Sequence, residues 1–175
     1  IRDLIKGGEN ETVEFKASFR WDTKEHKLNK ILELVVIKEI VGLMNHRGGY
    51  LLIGVDDSGK ICGIEHDINS FVDPKDRNLE RFINHLSEVI NNLLGIEFKA
   101  YIKIDIFEID GKSVCCLDIE QAELHCKTKT SKKYGEDGKK YFEQFYVRSG
   151  AQSRPLNTRE AIDYVTIHFP NAGRR

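Results

Sequence analysis

The stretch whose reading decides the fold is Asn45-His46-Arg47-Gly48-Gly49-Tyr50-Leu51-Leu52-Ile53-Gly54-Val55-Asp56-Asp57-Ser58-Gly59-Lys60. Tyr50 to Val55 is a short apolar run of β character. Asp56-Asp57-Ser58-Gly59 is turn chemistry leading into Lys60 to Ile64, so the segment predicts a β-hairpin. Gly48-Gly49 permit a sharp helix-to-strand turn, and Gly54 relieves crowding against another backbone. The strand ends on two adjacent carboxylates, an ending that a buried strand does not choose for stability.

Working upstream, the residues from Leu28 to Met44 leave few polar gaps among Ile31, Leu32, Leu34, Val35, Val36, Ile37, Ile40, Val41 and Leu43. That pattern predicts a helix buried on much of its circumference, ended by Asn45 to Gly49. Before it, Val13 and Phe15 alternate with Thr12, Glu14 and Lys16, the period of a strand with one buried face, which leaves Glu14 and Lys16 together on the other. Downstream, Asp73-Pro74 reads as an N-cap with proline at the first helical position. Leu79, Phe82, Ile83, Leu86, Ile90, Leu93 and Leu94 then recur at helical spacing up to Gly95. Tyr101 to Ile109 alternates, Asp110-Gly111 is a two-residue hairpin turn, and Val114 to Ile119 returns. Phe142 to Val147 is another strand, and Asn157 with Glu160 forms a capping box opening a helix over Thr158 to Phe169. The order predicts an α+β domain of mostly antiparallel β-hairpins with three helices packed on the sheet.

A chain of 175 residues fits one domain, 1–175, with enough core to stand without disulfides or a structural metal. Hydrophobic residues at 40% and charged residues at 31% exclude a disordered or membrane-spanning chain. The start at Ile1-Arg2-Asp3, without an initiator Met or a signal region, reads as a piece of a longer polypeptide with further domains. A net charge of -1 makes no general polyanion magnet, so nucleic-acid binding would need a local patch. Cys62, Cys115, Cys116 and Cys126 show no C-x-x-C pair, which fits a reducing, cytoplasmic setting. A homo-oligomer is left open.

Glu9-Asn10-Glu11-Thr12-Val13-Glu14-Phe15-Lys16 adds acids around the first strand. Glu9, Glu14 and Asp56 or Asp57 are therefore candidate ligands for a hard cation, Mg²⁺ or Mn²⁺, which could assist phosphodiester cleavage. A strand presents Asp56 and Asp57 to opposite faces; spacing favours Asp57. The plainer reading is that Glu9 and Glu11 are solvated loop charges and that Asp56-Asp57 only make a turn. Lys127, Lys129, Lys132, Lys133, Lys139 and Lys140, with hydroxyl residues between, form either a phosphate-contacting arm or a solvated loop, the one low-order segment of the chain. Lys16 joins them as a candidate contact. Arg148 and Arg154 flank a Ser-Gly turn, and Arg148 is the best single candidate for a backbone-phosphate contact, against a pairing with a structural carboxylate. The glycines match no nucleotide-binding loop. Phe19 and Trp21 are either base-stacking platforms or core. The scattered histidines support no general-base site.

Taken together, Glu9 to Lys16, the N-x-x-GG-x-L-L-I-G-V-D-D segment at 45–57 and Phe145-Tyr146-Val147-Arg148-Ser149-Gly150 resemble the Schlafen AlbA_2 family of nucleic-acid-binding domains, from about Gly7 to Phe169. In the family's nuclease members, two glutamates in an E-x-x-x-x-E-F-K context and an aspartate of the G-V-D-D hairpin form an acidic triad. The resemblance thus implies Glu9, Glu14 and Asp57 or Asp56 as metal ligands and catalytic acids of an endonuclease (RNase), acting on structured RNA such as tRNA rather than DNA. It implies equally a non-catalytic DNA- or RNA-binding or regulatory module of a larger protein, and by association a role in antiviral or anti-phage defence. Vertebrate relatives carry a Cys/His zinc site in the region of Cys115, Cys116, His125 and Cys126. Adjacent cysteines face opposite ways on a strand and Gly95 to Phe98 supplies no partner, so zinc is not expected and buried thiols are.

Overall fold

The computed structural model describes residues 1–123, 125–134 and 138–170, and their side chains outside 129–142. In chain order the elements are α1 (Arg2–Gly7), β1 (Val13–Lys16), β2 (Trp21–Asp22), β3 (Lys27–Leu28), α2 (Ile31–Met44), β4 (Gly49–Ile53), α3 (Glu65–Asn69) and α4 (Leu79–Leu93). There follow β5 (Ile102–Ile109), β6 (Lys112–Ile119), β7 (Thr128–Tyr134), β8 (Gly138–Ser149), β9 (Gln152–Leu156) and α5 (Thr158–His168), with 3₁₀ turns at Pro74–Asp76 and Ile96–Tyr101. The fold is α+β, with five α-helices among the described residues in place of three.

A four-stranded sheet runs in the order β1-β4-β6-β5, and a three-stranded antiparallel sheet in the order β7-β8-β9. Most pairs are antiparallel, but β1 and β4 are parallel, because the buried helix α2 carries the chain from one to the other. Between them β2 and β3 form a two-residue antiparallel ribbon. Helix α2 lies against both larger sheets, with Val36, Ile37, Ile40, Val41, Leu43 and Met44 fully buried. Its all-round apolar sequence is the mark of that position. Gly42 lets the helix approach β9: a Cβ there would run into the Ser153 side chain.

On the α2 side of the first sheet, Leu51, Ile53, Cys115, Leu117 and Ile119 join the main core with Phe82, Leu86 and Ile90 of α4. Its other side, with Val13, Phe15, Leu52 and Cys116, is covered by Ile1, Leu4 and Ile5 at the N-terminus. Phe145, Val147 and Leu156 of the second sheet pack on Ala161, Tyr164 and Val165 of α5. Strict alternation then turns Tyr146 and Arg148 the opposite way, toward α2.

Several local readings shift. The hairpin expected over Tyr50 to Ile64 contracts to one antiparallel bridge, Val55↔Ile61, at a turn closed by the Asp56 side chain, beyond which Cys62 N and Gly63 N both donate to the Gly54 carbonyl. Asp73 caps a 3₁₀ turn, accepting from Lys75 N, and α4 is capped instead by Asn78, which accepts from Arg81 N. The capping box at Asn157 and Glu160 forms as read. The segment 127–140, expected as a low-order loop, supplies strand β7 and the start of β8. At the Gly48-Gly49 turn the backbones nearly touch: a Cβ on Gly49 would meet the Thr12 carbonyl, and Tyr50 N donates to that oxygen at 2.7 Å.

After β1 the chain is pinned by Asp67 of α3, a fully buried carboxylate to which no cation is bonded among the described residues. It accepts from Ser18 Oγ at 2.7 Å and from the backbone N–H groups of Phe19, Arg20 and Trp21. Phe19 is core, and Trp21 is half-buried beside His66. Asp67→Ala would take the acceptor from Ser18 Oγ, Phe19 N and Arg20 N, leaving Trp21 N on Ser18 Oγ alone, so it is expected to destabilise the fold by at least about 3 kcal/mol, measured by urea unfolding.

Candidate functional site

Glu14 stands on edge strand β1 beside Leu51, on the face turned toward α2. That face is the polar one by sequence but is covered in the fold, and Glu14 is only 4% exposed. A carboxylate in such a place requires charged or hydrogen-bonding partners. Its Oε2 accepts from Arg148 Nη2 at 2.6 Å, and its Oε1 is paired with Lys16 Nζ. Lys16 Nζ also donates to the Phe15 carbonyl.

Arg148, expected as a phosphate contact, has a fully buried side chain. Its Nη1 donates to Glu39 Oε2 at 3.0 Å, and its Nη2 donates further to the carbonyls of Asn10 at 2.9 Å and Val13 at 3.2 Å. The other Glu39 oxygen lies 2.9 Å from Lys38 Nζ. Every carboxylate oxygen of Glu14 and Glu39 thus faces a cation, and the guanidinium ties together β1, α2 and β8. In this arrangement it offers no face to a phosphate. The pairing with a structural carboxylate is the alternative that the geometry realises.

Glu9 is half-buried, and its Oε1 accepts from Phe15 N at 2.9 Å, closing the free edge of β1. Burial raises its carboxyl above the ordinary glutamate value. The nearby Glu14 and Asp57 charges push it up further, against the Phe15 N–H and Lys16, which favour ionisation. Asp56 turns into its own loop, accepting from Ser58 N, Ser58 Oγ and Lys60 N, and the Ser58 hydroxyl holds it below the aspartate range. Asp57 is exposed. Of the pair it is Asp57 whose charge is felt at Glu9, and Asp56 that makes the turn.

These residues are a poor donor set for Mg²⁺ or Mn²⁺, which coordinate several carboxylate or water oxygens. Glu14 has no oxygen free of a cation and Glu9 has one oxygen on a backbone N–H. Among the described residues no three His, Cys, Asp or Glu side chains form a group able to hold a metal ion. Burial pushes the Cys116 thiol up to about 11 and those of Cys115 and Cys126 higher, so all three stay protonated at neutral pH. Arg154 is exposed and lies 3.6 Å from Glu160. The side chains of Lys129, Lys132, Lys133 and Lys139 lie outside the described residues; the backbone register sets Lys132 opposite Lys140 and Lys133 opposite Lys139.

Two residues of this site were not singled out by sequence reasoning. Glu39 interrupts a helix that is apolar on every side, and a charge there has to be buried and paired. Asn45, fully buried at the end of α2, donates to the carbonyls of Cys126 and Tyr146 and accepts from Cys126 N at 2.8 Å. Tyr164 of α5 donates to its carbonyl. The second sheet is thereby fastened to the helix beside Arg148.

The family description Schlafen, AlbA_2 matches residues 9–157, a span that holds Glu9, Glu14, Asp57 and Arg148 alike. The chain belongs to the Schlafen AlbA_2 family. Among solved structures, the DIP2311 protein from Corynebacterium diphtheriae is similar with a TM-score of 0.58 at 17% identity, over 90% of this chain and 24% of that one. At that identity the likeness concerns the fold. No curated protein matches the sequence. Membership in the Schlafen AlbA_2 family associates the domain with nucleic acid, and no helix among the described residues is long and apolar enough to cross a membrane.

Glu14→Ala in this Schlafen AlbA_2 domain leaves Arg148 short of a counter-charge in a dry site, so a loss of about 3–5 kcal/mol is expected. Arg148→Met should cost a similar amount and the double variant less than the two together, with a coupling of about 1–3 kcal/mol. Strictly additive urea-unfolding energies would show that the pair does not interact. Glu9 makes a pH prediction. Its folded value is raised, so its favourable contribution is complete below the ordinary glutamate value of 4.5 and is lost as pH rises through the higher folded value. Glu9→Gln, which keeps an acceptor for Phe15 N, should therefore stabilise the domain at pH 7 and lose that advantage at pH 4 in thermal melts.

Proposed function

We propose that this domain binds the backbone of a nucleic acid, structured RNA such as tRNA ahead of DNA, through the β7–β8 hairpin as a module of a longer protein. The observation that carries the reading is the register of that hairpin. Lysines opposed in an antiparallel pair share a face, and like charges directly opposite one another destabilise the pairing. A phosphate backbone would supply counter-charge to lysines so opposed, and lysines of this kind position a duplex without reading its sequence. Lys16 and Arg154 would extend the contact surface, with Arg148 acting from the interior as the residue that positions β8.

A second reading, a metal-dependent endoribonuclease using Glu9, Glu14 and Asp57 or Asp56, draws support from the raised Glu9 carboxyl between the Glu14 and Asp57 charges, since perturbed acids collect at functional sites. Incubating the domain with total tRNA, other RNA and DNA in Mn²⁺, Mg²⁺ or chelator separates the two: binding that survives chelator without cleavage supports the module, and metal-dependent cleavage lost in Glu9→Gln supports the nuclease.

Replacing Lys129, Lys132, Lys133 and Lys139 with Ala should weaken binding alike for all sequences. Each lost phosphate contact should reduce the log-log salt slope by about 0.7–0.9. Unchanged affinity and slope would remove the hairpin from the interface.

A further inference from the structure

Glu14 and Glu39, two carboxylates from different elements, converge on a common cation that is fully buried, and that cation is a side chain. Arg148 reaches Glu14 at 2.6 Å and Glu39 at 3.0 Å. Lys16 and Lys38 take the remaining two oxygens. The cluster therefore sets three positive groups against two negative ones. A divalent ion entering it would have to displace a guanidinium that also holds two backbone carbonyls, and would meet positive charge rather than negative. From this arrangement we infer that Arg148 is a resident substitute for a divalent cation, which keeps Glu14 and Glu39 closed to metal, and that removing it uncovers a cation site at those two carboxylates. The inference goes beyond the binding reading above and does not depend on it, since it concerns how the charge of Glu14 is balanced and not what the hairpin contacts.

The substitution has a chemical logic. A planar guanidinium presents two N–H groups to two separate carboxylates and keeps its charge at every accessible pH, whereas a lysine is a single point charge that cannot span both. A hard dication asks instead for several oxygens at about 2.1 Å, a shell that these carboxylates can offer only once the guanidinium is gone. The positions of Arg148, Glu14 and Glu39 on three different elements mean that either cation serves the same mechanical purpose of fastening β1 and β8 to α2.

The test uses the whole chain and Mn²⁺ alone. Wild-type protein is expected to melt at the same temperature in millimolar Mn²⁺ as in chelator, and to show no stoichiometric Mn²⁺ binding by calorimetry that Glu14→Gln removes. Arg148→Met is expected to melt lower in chelator and to regain about 5 °C or more in saturating Mn²⁺. That regain should vanish in Arg148→Met/Glu14→Gln. Arg148→Lys, which retains a charge but not the bridge, should show a smaller metal response and covers the case in which Arg148→Met does not fold. A wild-type melting temperature raised by Mn²⁺ through Glu14 overturns the inference, because metal and Arg148 would then coexist. Folded Arg148 variants blind to Mn²⁺ overturn it as well, because the vacated carboxylates would then form no cation site. Because the readouts are melting and metal binding, failure here is distinct from failure of the hairpin to bind nucleic acid.

Discussion

The buried guanidinium of Arg148 is the interaction on which the arrangement of this domain turns. It comes from the three-stranded sheet and meets a carboxylate of α2 and a carboxylate of β1 at once, while two carbonyls of the loop before and within β1 take further N–H groups. Desolvating three charges is costly, and their mutual attraction offsets that cost only when the geometry leaves no oxygen without a partner. Here Lys16 and Lys38 complete the set. An apolar substitute for the whole cluster could match it in stability, but it would not specify the relative placement of three elements so narrowly.

The same logic repeats along α2. Its apolar surface is claimed by a sheet on either side, so Glu33, Glu39 and the capping Asn45 are buried and each is answered by another element, whereas the half-buried Lys38 pairs with Glu39 on the helix itself. Glu33 is answered by His85 of α4 at 2.8 Å, with Arg20 3.7 Å away and its guanidinium over the Phe71 ring. Glu39 is answered by Arg148. Asn45 is answered by backbone groups of Cys126 and Tyr146. These three residues fall six apart and tie the helix to different neighbours: α4 and the segment after β1, then the two sheets, then β8 and Cys126 ahead of β7. The hydrophobic contacts hold α2 in the interior, and the polar ones fix its rotation and depth.

This arrangement changes how the acids around β1 are understood. A cluster of carboxylates suggests a cation site, but whether it is one depends on what else reaches it. Glu14 is neutralised from inside the protein, Asp56 is absorbed by its own turn, and Glu9 and Asp57 are left toward the surface, where burial and the neighbouring acids raise the Glu9 carboxyl. The buried arginine's part is then structural, holding β8 against α2 and β1.

Much was legible from local pattern. The helices at α2, α4 and α5, the β5–β6 hairpin with Asp110 and Gly111 at positive φ, and the Asn157 capping box follow from periodicity, turn chemistry and capping, each of which acts within a few residues. The family itself was readable from three segments that share one order. What local pattern does not contain is which strand lies beside which, and hence which faces are covered. Alternation correctly placed Glu14 opposite Val13 and Phe15, but only the parallel pairing of β1 with β4, and the packing of α2 and β8 over it, made that face an interior one. Burial of a charge is a property of the assembled layers, so the partnership of Arg148 with Glu14 and Glu39, 134 and 109 residues away, was decided by tertiary structure alone.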